Sequence, residues 1–256
     1  MSGAIRFRLS DAADVQIWTA PTEGWSEAIV SGLLDTLDPS EKGRSARFRV
    51  EAARVHYVAA HALARFAIGR ALGRNSRSLE FDYDSFGKPH LVGVTDLGFS
   101  LSHSDGLVGC ALGVHREIGI DIENMRQETD LDAISDVAFA VSEREWVAAS
   151  PTGDRRERFF QFWTLKEAYL KAKGVGFSHP PDEAVFDLAE QQPRLKSDDG
   201  FVADWRFGSM RAGVAHIVSV AVRTSSVAPV AGTWLSVSPG SAQPPFDIVS
   251  ETRLSI

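Results

Sequence analysis

The sequence predicts an α+β fold of two lobes with a cleft between them. Three observations carry this expectation. At 256 residues the chain can form one large domain or two compact lobes. Helical patterns give way to strand patterns twice, once before about residue 116 and once after it. From Ala184 onward the pattern is one of short strands separated by turns.

The elements follow in order. Residues 5–19 read as a first strand, and "SEAIVSGLLDTL" as a short amphipathic helix. "DPSEKGRSARF" opens on an Asp-Pro helix start with acid in its first turn. It leads into an alanine-rich helix over 50–72 that Gly73 stops. "SLEFDYDSFGKPHL" is strand and turn, and "GFSLSHSDGLVGCALGV" is two strands joined by a Ser-His-Ser-Asp-Gly loop. The strand "EIGIDIE" comes next, then helical stretches over 131–149 and 154–173, then "FVADWRFG", "AHIVSVAV" and "GTWLSVS". The Pro/Ser-rich final segment is expected to be loosely held.

Composition narrows the function classes. No apolar run approaches the roughly 20 residues of a membrane span. The N-terminus lacks a basic start followed by an apolar stretch, so a cytoplasmic chain without a secretory signal is expected. The single cysteine, Cys110, excludes an internal disulfide and sits in an apolar run. A net charge of −7 argues against nucleic-acid binding. Between Lys42 and Arg77, however, nine Lys and Arg residues face only Glu51, which suggests a local anionic ligand.

In "IGIDIEN" three isoleucines alternate with Gly119, Asp121 and Glu123. Strand periodicity puts the isoleucines on one face and both carboxylates on the other. Those carboxylates either sit on a solvated outer face or form a site for a hard cation, since Mg²⁺ accepts one or two carboxylates beside water and phosphate oxygens. Helix 158–173 adds partners. Phe159, Phe162 or Trp163, and Leu170 make an apolar stripe, while Trp163, Glu167 and Lys171 rise along one face at i, i+4, i+8. Glu167 and Lys171 are either a surface ion pair or a third carboxylate and a cation for a Mg²⁺–pyrophosphate site.

The pair "GIDIE" and "FWTLKEAYLKAKG", about forty residues apart, resembles the signature of the 4′-phosphopantetheinyl transferases of the Sfp type. That pattern is Gly-Ile/Val-Asp, a spacer, then Trp-Ser/Thr-x-Lys-Glu-Ala/Ser-x-x-Lys. "FGKPHL" at 86–91 and "FSLSHSDG" at 99–106 resemble further segments of the family, as does the basic N-terminal helix. The resemblance runs from about residue 38 to about 223 and is absent from the tail.

The resemblance implies two similar α/β lobes, a pseudo-dimer, with the active site in the cleft: residues 1–116 meet coenzyme A, 117–225 carry the metal and catalytic residues, and 226–256 are a partly ordered tail. It implies Mg²⁺-dependent transfer of 4′-phosphopantetheine from coenzyme A to a serine of an acyl or peptidyl carrier protein, by a monomer. Asp121, Glu123 and Glu167 would hold Mg²⁺, Glu167 or a water would serve as base, and Lys171 would touch the phosphate. Lys88, Ser102, His103 and Lys166 would bind the coenzyme, His103 meeting its 3′-phosphate. The family's two lysines near the start of the basic helix are not both kept: Arg44 matches the second, and the first falls nearer Glu41, with Lys42 beside it. Arg44 and Arg54 are the phosphate contacts expected in their place.

Carrier docking is expected on a local apolar surface near 131–149 and "KGVGFSHPP", with Phe177 exposed. Rival readings are another Mg²⁺-dependent phosphotransferase and a noncatalytic carrier-binding module. The first lacks any Gly-x-x-x-x-Gly-Lys-Ser/Thr loop, and the second fits poorly with every signature carboxylate and the lysine being present.

Overall fold

The computed structural model describes residues 15–114, 117–176, 179–190, 192–225, 230–240 and 245–256. Its elements are β1 (Val15–Pro21), α1 (Glu27–Leu34), α2 (Pro39–Ser45), α3 (Glu51–Leu72), β2 (Phe81–Tyr83), β3 (Pro89–Leu91), β4 (Leu97–Ser104), β5 (Leu107–Val114) and β6 (Ile118–Asn124). After these come α4 (Leu131–Ala138), α5 (Val141–Ala149), α6 (Arg155–Lys173), β7 (Phe186–Asp187), β8 (Arg194–Ser197), β9 (Gly200–Phe201), β10 (Trp205–Ala212), β11 (His216–Arg223), β12 (Ala231–Pro239) and β13 (Phe246–Ser255).

Two sheets organise the chain. One has five strands in the order β13-β12-β1-β5-β4, and the other three in the order β10-β11-β6. Helix α3 covers the first sheet with a run of buried alanines that lets the helix backbone approach closely. Helix α6 covers the second through Phe159, Phe160, Phe162 and Leu165. Between the sheets lies a third apolar layer, in which Ile118, Ile120 and Ile122 pack with Val15, Ile17, Val218 and Val220. The isoleucine face of β6 is thus buried between the sheets, and its Asp/Glu face turns toward α6.

Gly119 explains how close α6 lies. A Cβ there would stand 1.9 Å from the Ala168 carbonyl oxygen, so only glycine admits the helix at this distance. Alternation along "IGIDIEN" shows the face; it does not show this approach.

Three differences from the sequence reading have physical causes. The strand read at "GTWLSVS" is β12, parallel to β1, while the final segment expected to be loose supplies β13, which pairs with β12 because an exposed sheet edge offers its backbone groups a partner. The helical stretch 131–149 is two helices, separated where Phe139 and Ala140 adopt extended backbone. Strand β4 runs through Ser104, so Ser102 and His103 belong to the strand. The turn is Asp105–Gly106 alone, with Gly106 at φ 87°.

That last difference joins the two sheets. Ser100, Ser102 and Ser104 alternate on one face of β4, and their hydroxyls accept the N–H groups of Ile120, Ile122 and Asn124 at 3.2, 3.1 and 2.9 Å. Serine side chains thereby take the place of a strand's carbonyls along the free edge of β6. No helix of the described residues is long and apolar enough to cross a membrane.

Candidate active site

The seam between β4 and β6 and the face of α6 bring the signature residues together. Asp121 is buried, and its Oδ1 accepts from Lys171 Nζ at 2.6 Å and from the Ser102 hydroxyl at 3.0 Å. Ser102 also accepts from Lys171 Nζ at 3.1 Å. With the Ile122 N–H this engages its one donor and both lone pairs. Glu123 Oε1 accepts from the Trp163 indole N–H at 3.2 Å, and its Oε2 from Gln127 at 3.1 Å. Two buried carboxylate oxygens, Asp121 Oδ2 and Glu167 Oε1, have no hydrogen-bond partner among the described residues.

Electrostatics follow from this crowding. Burial, and then repulsion from Asp121, push Glu167 up to about 7. The same two causes push Glu123 up to about 7, against the Trp163 hydrogen bond. An unpartnered buried carboxylate oxygen is costly, and two aimed into one cluster match the hard-oxygen donor set of a divalent cation. Among the described residues no group of three or more His, Cys, Asp or Glu side chains is placed so that it could hold a metal ion as it stands.

Beside the cluster opens a cavity of about 400 Å³ lined by Arg44, Tyr57, His61, Tyr83, Lys88, His103 and Lys171, among others. Arg44 reaches it from α2, its guanidinium 4.1 Å over the Tyr83 ring. Helix α2 is held by Arg65, which is fully buried and donates to Asp38 and Glu41, the two residues of the α2 capping box, at 2.7 Å each. One of the nine basic residues of the 42–77 segment is thus structural. His103 stacks on His56 with ring centroids 5.8 Å apart. Burial of part of its ring, then His56 and Lys171, lower its affinity for a proton. His61 is held down to about 4 by burial and stacks on Tyr57 at 3.9 Å. A larger cavity, about 640 Å³, is lined by residues of β1, β12, β13 and the β10–β11 hairpin, and by none of Asp121, Glu123 and Glu167.

Several expected roles change. Lys166 does not face the cleft: it is fully buried, with Nζ 2.7 Å from Glu143, 2.7 Å from the Ala184 carbonyl and 3.0 Å from the Pro181 carbonyl. A helix turns each successive side chain by about 100°, so Lys166 points into the core while Glu167 points out of it. Ser102 orients Asp121 and Lys171 and does not line the cavity. Arg54 is engaged by Glu51 in a two-pronged pair at 2.6 and 2.8 Å and does not line the cavity either. Lys88 lines the cavity, but its Nζ donates to the carbonyls of Lys171 and Ala172 at 2.7 and 2.8 Å, so it caps the C-terminal end of α6. Phe177 lies outside the described residues.

Sequence reasoning missed Ser100, Ser104 and the bond from Trp163 to Glu123. The spacing Ser100, Ser102, Ser104 was the available signal, hidden because Ser100 was read in a strand and Ser102 and Ser104 in the loop after it.

Buried Asp121 and half-buried Glu123 and Glu167 stand near Lys171, beside a cavity rimmed with cationic side chains that suit an anionic ligand. The comparisons name the class. Residues 117–221 match the 4′-phosphopantetheinyl transferase superfamily. The 4′-phosphopantetheinyl transferase HetI of Nostoc sp. is 36% identical over 173 residues, 66% of this chain and 72% of that one. A phosphopantetheinyl transferase of Thraustochytrium sp. is 29% identical, over 82% of this chain and 79% of that one. The Bacillus subtilis transferase Sfp is 27% identical, over 58% and 65%. Among solved structures, the Thermotoga maritima holo-[acyl-carrier-protein] synthase overlays with a TM-score of 0.35 at 19% identity, over 54% of this chain and 83% of that one. The chain belongs to the 4′-phosphopantetheinyl transferase superfamily. It is an enzyme of that class, a transferase of the 4′-phosphopantetheine group.

Proposed function

We propose that the chain transfers 4′-phosphopantetheine from coenzyme A to a serine hydroxyl of an acyl or peptidyl carrier protein, with Mg²⁺, and releases adenosine 3′,5′-bisphosphate. The observation that carries the reading is the pair of unpartnered buried oxygens, Asp121 Oδ2 and Glu167 Oε1, beside Lys171 at the mouth of the cationic cavity. The two sheets with their helices are read as the two lobes of a pseudo-dimer of the Sfp type. Residues up to 116 meet the coenzyme, and 117–225 carry the chemistry.

Asp121, Glu123 and Glu167 would hold the metal, which supplies positive charge to pyrophosphate oxygens. Each protein group then has a task. Lys171, fixed by Asp121 and Ser102, meets the charge that grows on the phosphate under attack. Glu167, directly or through a water, accepts the serine proton. Arg44 and His103 line the cavity from the side where a 3′-phosphate would sit, and Tyr57, Tyr83 and His61 offer flat apolar walls for a base.

The carrier is placed on the α4–α5 surface, where Val137 and Val141 are exposed at 73% and 61%. Mass spectrometry of a panel of apo carriers incubated with coenzyme A and Mg²⁺ tests the reading. A carrier gaining one phosphopantetheine arm supports it, and a full panel left unmodified while coenzyme A binds overturns it.

A further inference from the structure

Alternation along β4 puts Ser100, Ser102 and Ser104 on one face and Leu101 and His103 on the other, toward α3. The serines on either side of His103 fix its backbone, since Ser102 and Ser104 accept the N–H groups of Ile122 and Asn124. What is left to His103 is rotation of its side chain, which lines the cationic cavity and is exposed. A side chain that must be ordered when a ligand arrives takes that ordering out of the binding free energy.

His56 supplies a restraint. It lies on α3 one turn before Ala60 and one residue before Tyr57, both of which line the cavity. Its side chain is 13% exposed, and its ring stacks on that of His103 with 5.8 Å between centroids and 27° between planes. His56 Nε2 also stands 3.8 Å from Oδ1 of Asp105, in the turn after β4. The second sheet fixes that turn. The Asp105 carbonyl accepts from His216 Nε2 at 2.7 Å and from the Asn124 side-chain amide at 2.9 Å, which uses both of its lone pairs. Burial, opposed by Asp105, lowers the affinity of His56 for a proton. A neutral ring stacks without repelling a charged neighbour.

We propose that His56 is a positioning residue of the coenzyme site: by stacking, it holds the His103 imidazole toward the cavity and so sharpens selection for a 3′-phosphate. This role rests on the reading that His103 meets that phosphate. His56 does not line the cavity, so it acts through His103 and not on the ligand. Asp105, pinned through its carbonyl by β6 and β11, ties the pair of rings to the second sheet.

Titration calorimetry of the full chain with coenzyme A and with 3′-dephospho-coenzyme A, both with Mg²⁺, reads the effect. His56→Ala should weaken coenzyme A binding about three- to tenfold, the scale of ordering one side chain, and leave the dephospho ligand nearly unchanged. His56→Phe keeps a flat ring in the stack and should bind coenzyme A nearly as wild type does. In a His103→Ala background His56→Ala should have no further effect, because a residue that acts through another shows no independent loss. A loss that persists in that background, or that falls equally on both ligands, overturns the inference. So does a His56→Phe variant as weak as His56→Ala, which would make a ring nitrogen the contact. If His103→Ala itself keeps the wild-type preference between the two ligands, the underlying reading fails and the role of His56 falls with it. Wild-type binding by His56→Ala, beside a selective loss in His103→Ala, refutes the role of His56 alone.

Discussion

Lys171 Nζ stands 2.6 Å from Asp121 Oδ1, and this contact ties the exposed face of α6 to the carboxylate face of β6. Ser102 bonds to both groups, so a residue from the first sheet sets the geometry of a pair that belongs to the second. The contact leaves Asp121 Oδ2 unengaged beside Glu167 Oε1. The site is therefore held rigid on one side and open on the other. Rigidity fixes the charges; the open oxygens leave room for a ligand.

Asp121→Asn and Glu167→Gln should each lower transfer by at least about a hundredfold, the scale of losing a positioned acid–base or charge-stabilising group. Both are near-isosteric: Glu167→Gln should keep the melting temperature at or above that of wild type, while Asp121→Asn gives up the ion pair with Lys171 and should lower it without unfolding the protein. Glu123→Gln should cost less, because water can replace one ligand of a six-coordinate ion. Steady-state transfer assays with melting curves check all three, and full activity in Asp121→Asn contradicts the assignment.

Glu123 and Glu167, held at about 7 against an ordinary value of 4.5, set a pH dependence. Between those values the folded metal-free protein binds more protons than the unfolded chain, so its stability falls as pH rises through that window. A divalent cation displaces those protons. The rise in melting temperature on adding Mg²⁺ should thus be larger near pH 8 than near pH 5.5, which differential scanning fluorimetry at the two pH values measures. Equal shifts would mean that these carboxylates are not the ligands.

His103→Ala should weaken coenzyme A binding by about ten- to a hundredfold, since a hydrogen bond to a charged group contributes about 1.5–3 kcal/mol. Binding of the analogue lacking the 3′-phosphate should change little. Titration calorimetry with both ligands decides it, and an equal loss for both places His103 against another part of the coenzyme.

Ser100→Ala leaves the Ile120 N–H buried without an acceptor and should cost about 1–3 kcal/mol of stability. Ser102→Ala should cost a comparable amount and also lower the transfer rate, because it releases Asp121 and Lys171. Denaturant unfolding and initial rates separate the two effects. A rate loss in Ser100→Ala as large as in Ser102→Ala would show that seam stability, not side-chain orientation, controls activity.

Lys166→Met should destabilise by about 3–5 kcal/mol by stranding the buried Glu143 charge, with the Michaelis constant for coenzyme A unchanged in the protein that folds. Adding Glu143→Leu should recover most of that loss. A raised Michaelis constant in the recovered double variant would return Lys166 to the coenzyme site.

Local periodicity was enough to read the strand "IGIDIEN", the face of its carboxylates, the helix bearing Trp163, Glu167 and Lys171, and the stops at Gly73 and Gly174. Each depends on residues within a few positions of one another, and backbone geometry turns such spacing into a shared face. Whether Lys166 or Lys171 reaches the cleft depends on which side of α6 meets the core, and that is set by Gly119 and the aromatic layer beneath the helix. The serine seam, the burial of Arg65 and the parallel pairing of β12 with β1 join residues tens to hundreds of positions apart. Only tertiary packing chose these partners, because a hydroxyl or guanidinium takes whichever acceptor or donor the fold brings within about 3 Å.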